Sequence, residues 1–169
     1  MDWAGYRADR QSTSGFVFSL GSGAISWSSK KKLTITLSTT EIEYRGVTVA
    51  ACEAVWLKRI LKDLGNPPPN PIRIFCDNMS NIYVARNCVF HAKTKHIKLH
   101  YHFICECIQA RDIDLQHIST NLQVADIFTK PLRVDKLVQF TSGLGLTASA
   151  LPRLRGSTVS DMLTVCNIA

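Results

Sequence analysis

Three acidic residues stand at the borders of apolar segments: Glu43 in Ser38-Thr39-Thr40-Glu41-Ile42-Glu43-Tyr44, Asp77 directly after Ile74-Phe75-Cys76, and Asp126 in Val124-Ala125-Asp126-Ile127-Phe128. A lone buried carboxylate is costly, and several that converge repel one another unless a cation neutralises them. A fold that gathers these three residues therefore has to be organised around a divalent cation. That chemistry suits magnesium-dependent hydrolysis of a phosphodiester.

The remaining composition narrows the partner. A chain of 169 residues with 46% apolar content is long enough for one domain with a real core. Its formal charge of +7 favours an anionic partner, and nucleic acid is the commonest one for a basic domain. No apolar run reaches the length of a membrane span, and Met1-Asp2-Trp3-Ala4 does not open a secretory signal, so an intracellular, cytoplasmic or nuclear protein is expected. The six cysteines show no paired CxxC spacing and most sit inside apolar runs, which predicts reduced thiols.

The order of elements follows from periodicity. Residues 16–20 and 24–28 flank Gly21-Ser22-Gly23 and read as a hairpin, because glycine supplies the positive φ that a tight turn demands. A third strand is predicted over 33–37, where Leu33-Thr34-Ile35-Thr36-Leu37 alternates strictly. Ser38 with Glu41, and Thr40 with Glu43, have capping-box spacing, so a helix should begin near residue 40. Its inner stripe is Glu43, Val47, Ala50, Ala54, Leu57, Leu61 and Leu64, which selects Glu43 over Glu41 as the inward carboxylate. As a structural alternative, Glu43 is only a capping residue.

Four prolines within residues 66–71 end that helix. A short buried strand is predicted over 72–76, with Asp77 at its carboxyl end, where open α/β sheets place ligand-binding groups. Asp77 could equally cap the helix that follows. A second long helix is expected over 93–110 with Ile97, Tyr101, Ile104 and Ile108 inside, then a strand over 113–118 and a short helix over 121–129 carrying Asp126. The whole reads as an α/β domain over residues 1–146, a mixed sheet flanked by helices, with a peripheral or disordered tail over 147–169.

Taken in order, Asp2-Trp3-Ala4-Gly5, Asp9-Arg10-Gln11-Ser12-Thr13-Ser14-Gly15, Ile25-Ser26-Trp27-Ser28-Ser29-Lys30-Lys31, the run from Leu37 to Tyr44, Cys76-Asp77-Asn78, His91-Ala92-Lys93-Thr94-Lys95-His96-Ile97, Tyr101-His102-Phe103 and Ala125-Asp126-Ile127-Phe128-Thr129-Lys130-Pro131-Leu132 resemble the ribonuclease H domain of copia-type retrotransposon Pol polyproteins. The resemblance implies a ribonuclease H-like fold with a five-stranded mixed sheet. It also implies a site of four acids holding two magnesium or manganese ions, RNA–DNA hybrid as substrate, and a reverse transcriptase domain upstream. Glu43, Asp77 and Asp126 fall on three of those acids.

The fourth acid belongs to a phrase in which two aspartates precede the tryptophan, and Asp2 aligns with the second of them. The expectation is accordingly a domain missing its first, central strand together with one metal ligand, and so an impaired endonuclease. Asp2 could fill the vacancy only by sliding two residues along a strand, roughly 7 Å. The alternative reading is a catalytically inactive, nucleic-acid-binding or structural remnant of a decayed retroelement. Lys30, Lys31, Lys32, Lys93 and Lys95 are the candidate phosphate contacts in either case.

Overall fold

The computed structural model describes residues 13–31, 39–87, 95–146 and 163–168, with side chains for all of these except 39–43, 95–97 and 163–168. The predicted strand over 33–37, and Asp2, Lys32 and Lys93, lie outside the described residues.

Strands β1 (Thr13–Leu20) and β2 (Gly23–Lys31) form the expected hairpin, joined through Gly21 at φ 62°. Helix α1 (Thr39–Asp63) follows, and Val47, Ala50, Ala54, Leu57 and Leu61 of the predicted stripe are all buried. Leu64 falls beyond the helix and is exposed, because the chain turns at Gly65 with φ 79° before the proline-rich loop. Strand β3 (Ile72–Cys76) leads into α2 (Met79–Arg86). It is followed by α3 (Lys95–Gln109), with Tyr101 and Ile104 inside, and then by β4 (Ile113–His117). The short helix expected over 121–129 is instead two 3-10 turns, Thr120–Leu122 and Val124–Phe128. Helix α4 (Val134–Gly143), which the sequence reading did not assign, closes this part by burying Phe140.

The sheet has five strands in the order β2-β1-β5-β3-β4. Its central position is taken by β5 (Leu163–Ile168), antiparallel to β1 and parallel to β3. Two expectations are corrected here. The sheet does not lack a central strand, and residues 163–168 are not peripheral. Without them β1 and β3 would each present a row of unpaired backbone N–H and C=O groups inside the molecule, which is costly. Leu-Thr-Val-Cys-Asn-Ile is rich in strand-forming residues and supplies the missing ladder. It escapes a search for alternation because a strand covered on both faces has no polar side to alternate with.

Both faces of the sheet are covered. Phe16 and Phe18 of β1 join Tyr44, Val47, Ile74, Tyr101, Ile104 and Leu115 in the main core beneath α1 and α3. Val17, which points the other way, packs with Ala125 and Leu144 in a second, smaller cluster. None of the described cysteines Cys52, Cys76, Cys105 and Cys107 is in a disulfide. Among the described residues no helix is long and apolar enough to cross a membrane.

Candidate functional site

Asp77 is the first residue after β3 and is half-buried. Its role as a helix cap is ruled out: the N-cap of α2 is Asn78, whose side-chain oxygen accepts from Ser80 N at 2.8 Å and Asn81 N at 3.4 Å. With capping assigned to its neighbour, the Asp77 carboxylate is left to other uses. Thr120 Oγ1 donates to Asp77 Oδ2 at 3.4 Å, tying the end of β3 to the first 3-10 turn. Ile118 N to Cys76 O at 3.1 Å fixes the same junction through the backbone.

Asp126 lies in the second 3-10 turn and is only 2% exposed. Lys130 Nζ meets its Oδ2 at 2.8 Å, whereas its Oδ1 is buried with no hydrogen-bond partner among the described residues. Such an oxygen costs free energy unless something positive completes it, so this donor set fits a cation.

The turn that carries Asp126 leans on Gly15 of β1. A Cβ on Gly15 would come within 2.9 Å of Thr129 Cγ2 and 3.0 Å of both Phe128 Cβ and Ser28 O, so only glycine permits this approach. Ser29 Oγ, in the neighbouring strand, donates to Phe128 O at 2.6 Å. Gly15 also borders a shallow pocket with Lys30 and Gly46, and Gly46 lies on α1 one turn after Glu43. Backbone placement therefore sets Glu43 near the same end of the sheet, on the face opposite the Asp126 turn. The Glu43 side chain lies outside the described residues, and among those described no group of three or more histidines, cysteines, aspartates or glutamates is set to hold a metal.

The strand register collects further groups at this end. Ser14 pairs with Lys30 and Thr13 with Lys31, so the exposed basic end of β2 lies beside Gly15. Trp27, in the same strand, is exposed as well. Lys95 opens α3, but its side chain is outside the described residues. The sequence reading missed Gly15, Thr120 and Asn78 as parts of the site's support. Asn78 was detectable as a capping residue directly before a helix; the roles of the other two depend on contacts between distant segments.

The chain is 42% identical over 146 residues to the Retrovirus-related Pol polyprotein from transposon RE1 of Arabidopsis thaliana, 86% of this chain and 10% of that protein. It is 41% identical over 145 residues to the corresponding polyprotein from transposon RE2 of the same plant, again 86% of this chain and 10% of the relative. To the Retrovirus-related Pol polyprotein from transposon TNT 1-94 of Nicotiana tabacum it is 41% identical over 129 residues, 76% of this chain and 10% of the relative. The chain thus spans about a tenth of the length of these curated relatives. No family model matches it, and no solved structure matches it.

Proposed function

We propose that this chain is a ribonuclease H-type domain that grips an RNA–DNA hybrid and uses a divalent cation to hydrolyse the RNA strand. The observation that carries the reading is the Oδ1 of Asp126, buried and without a partner among the described residues, in a turn seated at the end of the sheet where β3 delivers Asp77. The similarity to retrotransposon Pol polyproteins and a mixed sheet with helices on it support the same reading.

Asp126 and Asp77, with Glu43 on the first turns of α1, would hold magnesium or manganese. A bound cation of this kind supplies an acidified water and neutralises charge on the phosphodiester. The protein's own groups have distinct tasks. Lys130 holds one oxygen of Asp126 and so fixes the direction of the other. Thr120 steadies Asp77 by its hydroxyl. Lys30 and Lys31, at the basic end of β2, contact the phosphate backbone, which makes affinity fall with added salt.

The test is purified chain on a labelled hybrid with magnesium or manganese. Cutting that D77N and D126N abolish supports the nuclease. Salt-sensitive hybrid binding without cutting, together with cation binding lost in D77N, supports the inactive, nucleic-acid-binding alternative. Neither cutting nor cation binding would sink the site as drawn.

A further inference from the structure

The C-terminal half of α1 carries an aromatic side chain and a row of cations on its outward face. Trp56 is 53% exposed. An indole left half in water is a large apolar surface, and such surfaces mark places of contact. Arg59 and Lys62 follow it at successive steps of three residues, so the side chains emerge on neighbouring turns, about 5–6 Å apart at Cβ. Both are exposed, and neither has an ion-pair partner among the described residues. They border a cavity of about 220 Å³ whose other walls are Val55, Lys58 and Asp112. Lys58 Nζ donates to Asp112 Oδ1 at 2.9 Å and to Arg111 O at 3.1 Å, so the carboxylate in the wall is neutralised. The cavity therefore keeps the positive charge of Arg59 and Lys62. Ile72 N donates to Asp112 O at 3.0 Å, which puts this cavity at the start of β3. Asp77 lies at the other end of that strand, roughly 17 Å away.

We propose that this face of α1 is a nucleic-acid site in its own right, taking a single strand with one base stacked on Trp56 and the adjoining phosphates held by Arg59 and Lys62 at the mouth of the cavity. Stacking on a side chain needs a base that is free of its own neighbours, which a duplex does not offer, so the ligand is single-stranded. Cations one turn from the indole suit a polymer in which a charged phosphate accompanies every base. The dipole of α1 favours a cation in its last turn, which accounts for Lys62 but for neither Arg59 nor an exposed Trp56. A docked apolar helix fits less well, because the positions three and seven after Trp56 are Arg59 and Asp63 instead of apolar anchors. The site is remote from Asp77 and uses no divalent cation, so it stands whether or not the other end of the sheet cuts a hybrid.

The experiment uses the full-length chain in EDTA with a labelled oligodeoxythymidylate, read by anisotropy over a salt series and by tryptophan fluorescence. In W3F/W27F, Trp56 is the only tryptophan left, and the strand is expected to quench it. W56A should weaken binding about tenfold, whereas W56F, which keeps an aromatic face, should retain most of it. R59Q/K62Q should reduce the slope of log affinity against log salt by about 1.4, the loss expected for two phosphate contacts to a single strand. Unquenched Trp56, or W56A binding like the wild type, overturns the inference. Inorganic pyrophosphate that binds the wild type but not R59Q/K62Q, with the strand indifferent to W56A, would make this a pocket for free phosphates and also overturn it. Polyglutamate that displaces the strand as readily as an unlabelled oligonucleotide of equal charge would assign the face to an acidic polypeptide instead. Hybrid cutting in magnesium is a separate reading, and its loss or presence leaves these outcomes unchanged.

Discussion

Gly15 and Thr129 meet so closely that a methyl group on the glycine would lie 2.9 Å from Thr129 Cγ2. The other near atom on that side, Ser28 O at 3.0 Å, is backbone of the adjacent strand and cannot yield without distorting the hairpin. The 3-10 turn would have to lift instead, and it carries Asp126. Gly15→Ala is expected to cost about 1–3 kcal/mol, as overpacking does, and to weaken divalent-cation binding together with stability. Urea unfolding with and without Mn2+ measures both, and an undiminished Mn2+ response would disconnect Gly15 from the site.

Asp77 and Asn78 are neighbours with separable tasks. Asn78→Ala removes the cap of α2 and should lower stability by about 1 kcal/mol while leaving the cation-induced rise in Tm intact. Asp77→Asn should do the reverse, with little change in the melting of the cation-free protein and loss of most of the cation-induced shift. Thermal melts of the two variants across a manganese series read the distinction directly.

The central strand has its own test. Val165 pairs with Val17 on one side and Phe75 on the other, so proline there removes an N–H from a doubly paired strand. Val165→Pro is expected to cost about 3 kcal/mol or more and to abolish the cooperative transition in a marginal domain. Circular dichroism melting checks it. A melt equal to that of the wild type would show that residues 163–168 do not hold the sheet together.

Cys107 gives a pH signature. Burial first, then the Asp112 carboxylate, with smaller contributions from Cys52 and Glu106, pushes its thiol from 9.0 up to about 11. The folded protein keeps a proton that the unfolded chain releases. Stability from this source is therefore complete below about 9.0 and declines as pH climbs towards 11. The expected outcome is a urea midpoint that drops more steeply across that window in wild type than in Cys107→Ala, whatever the two absolute values are.

Much of the frame is written locally. The Gly21 turn, the prolines after α1, and the helical spacing of Val47, Ala50, Ala54, Leu57 and Leu61 each depend on a few consecutive residues, and each is found where the spacing predicts it. The nomination of Asp77 and Asp126 had the same source, since an acid at the edge of an apolar segment is visible without a fold. The burial of Asp126 against Lys130, the shift of capping duty from Asp77 to Asn78, and the approach of Thr129 to Gly15 are of another kind.

Residues 163–168 mark the boundary most sharply. Nothing in Leu-Thr-Val-Cys-Asn-Ile says which strands it will join, because a strand covered on both faces has no polar side for periodicity to register. Its place is decided by the backbone groups of β1 and β3, which must pair with something and lie some 150 and 90 residues away in the chain. The sequence by itself determined the turns, the helical stripes and the acids at their edges, because those are set by neighbours along the chain. Only the tertiary structure decided which strand stands at the centre, because hydrogen-bond pairing between distant segments is satisfied in space and leaves no local trace.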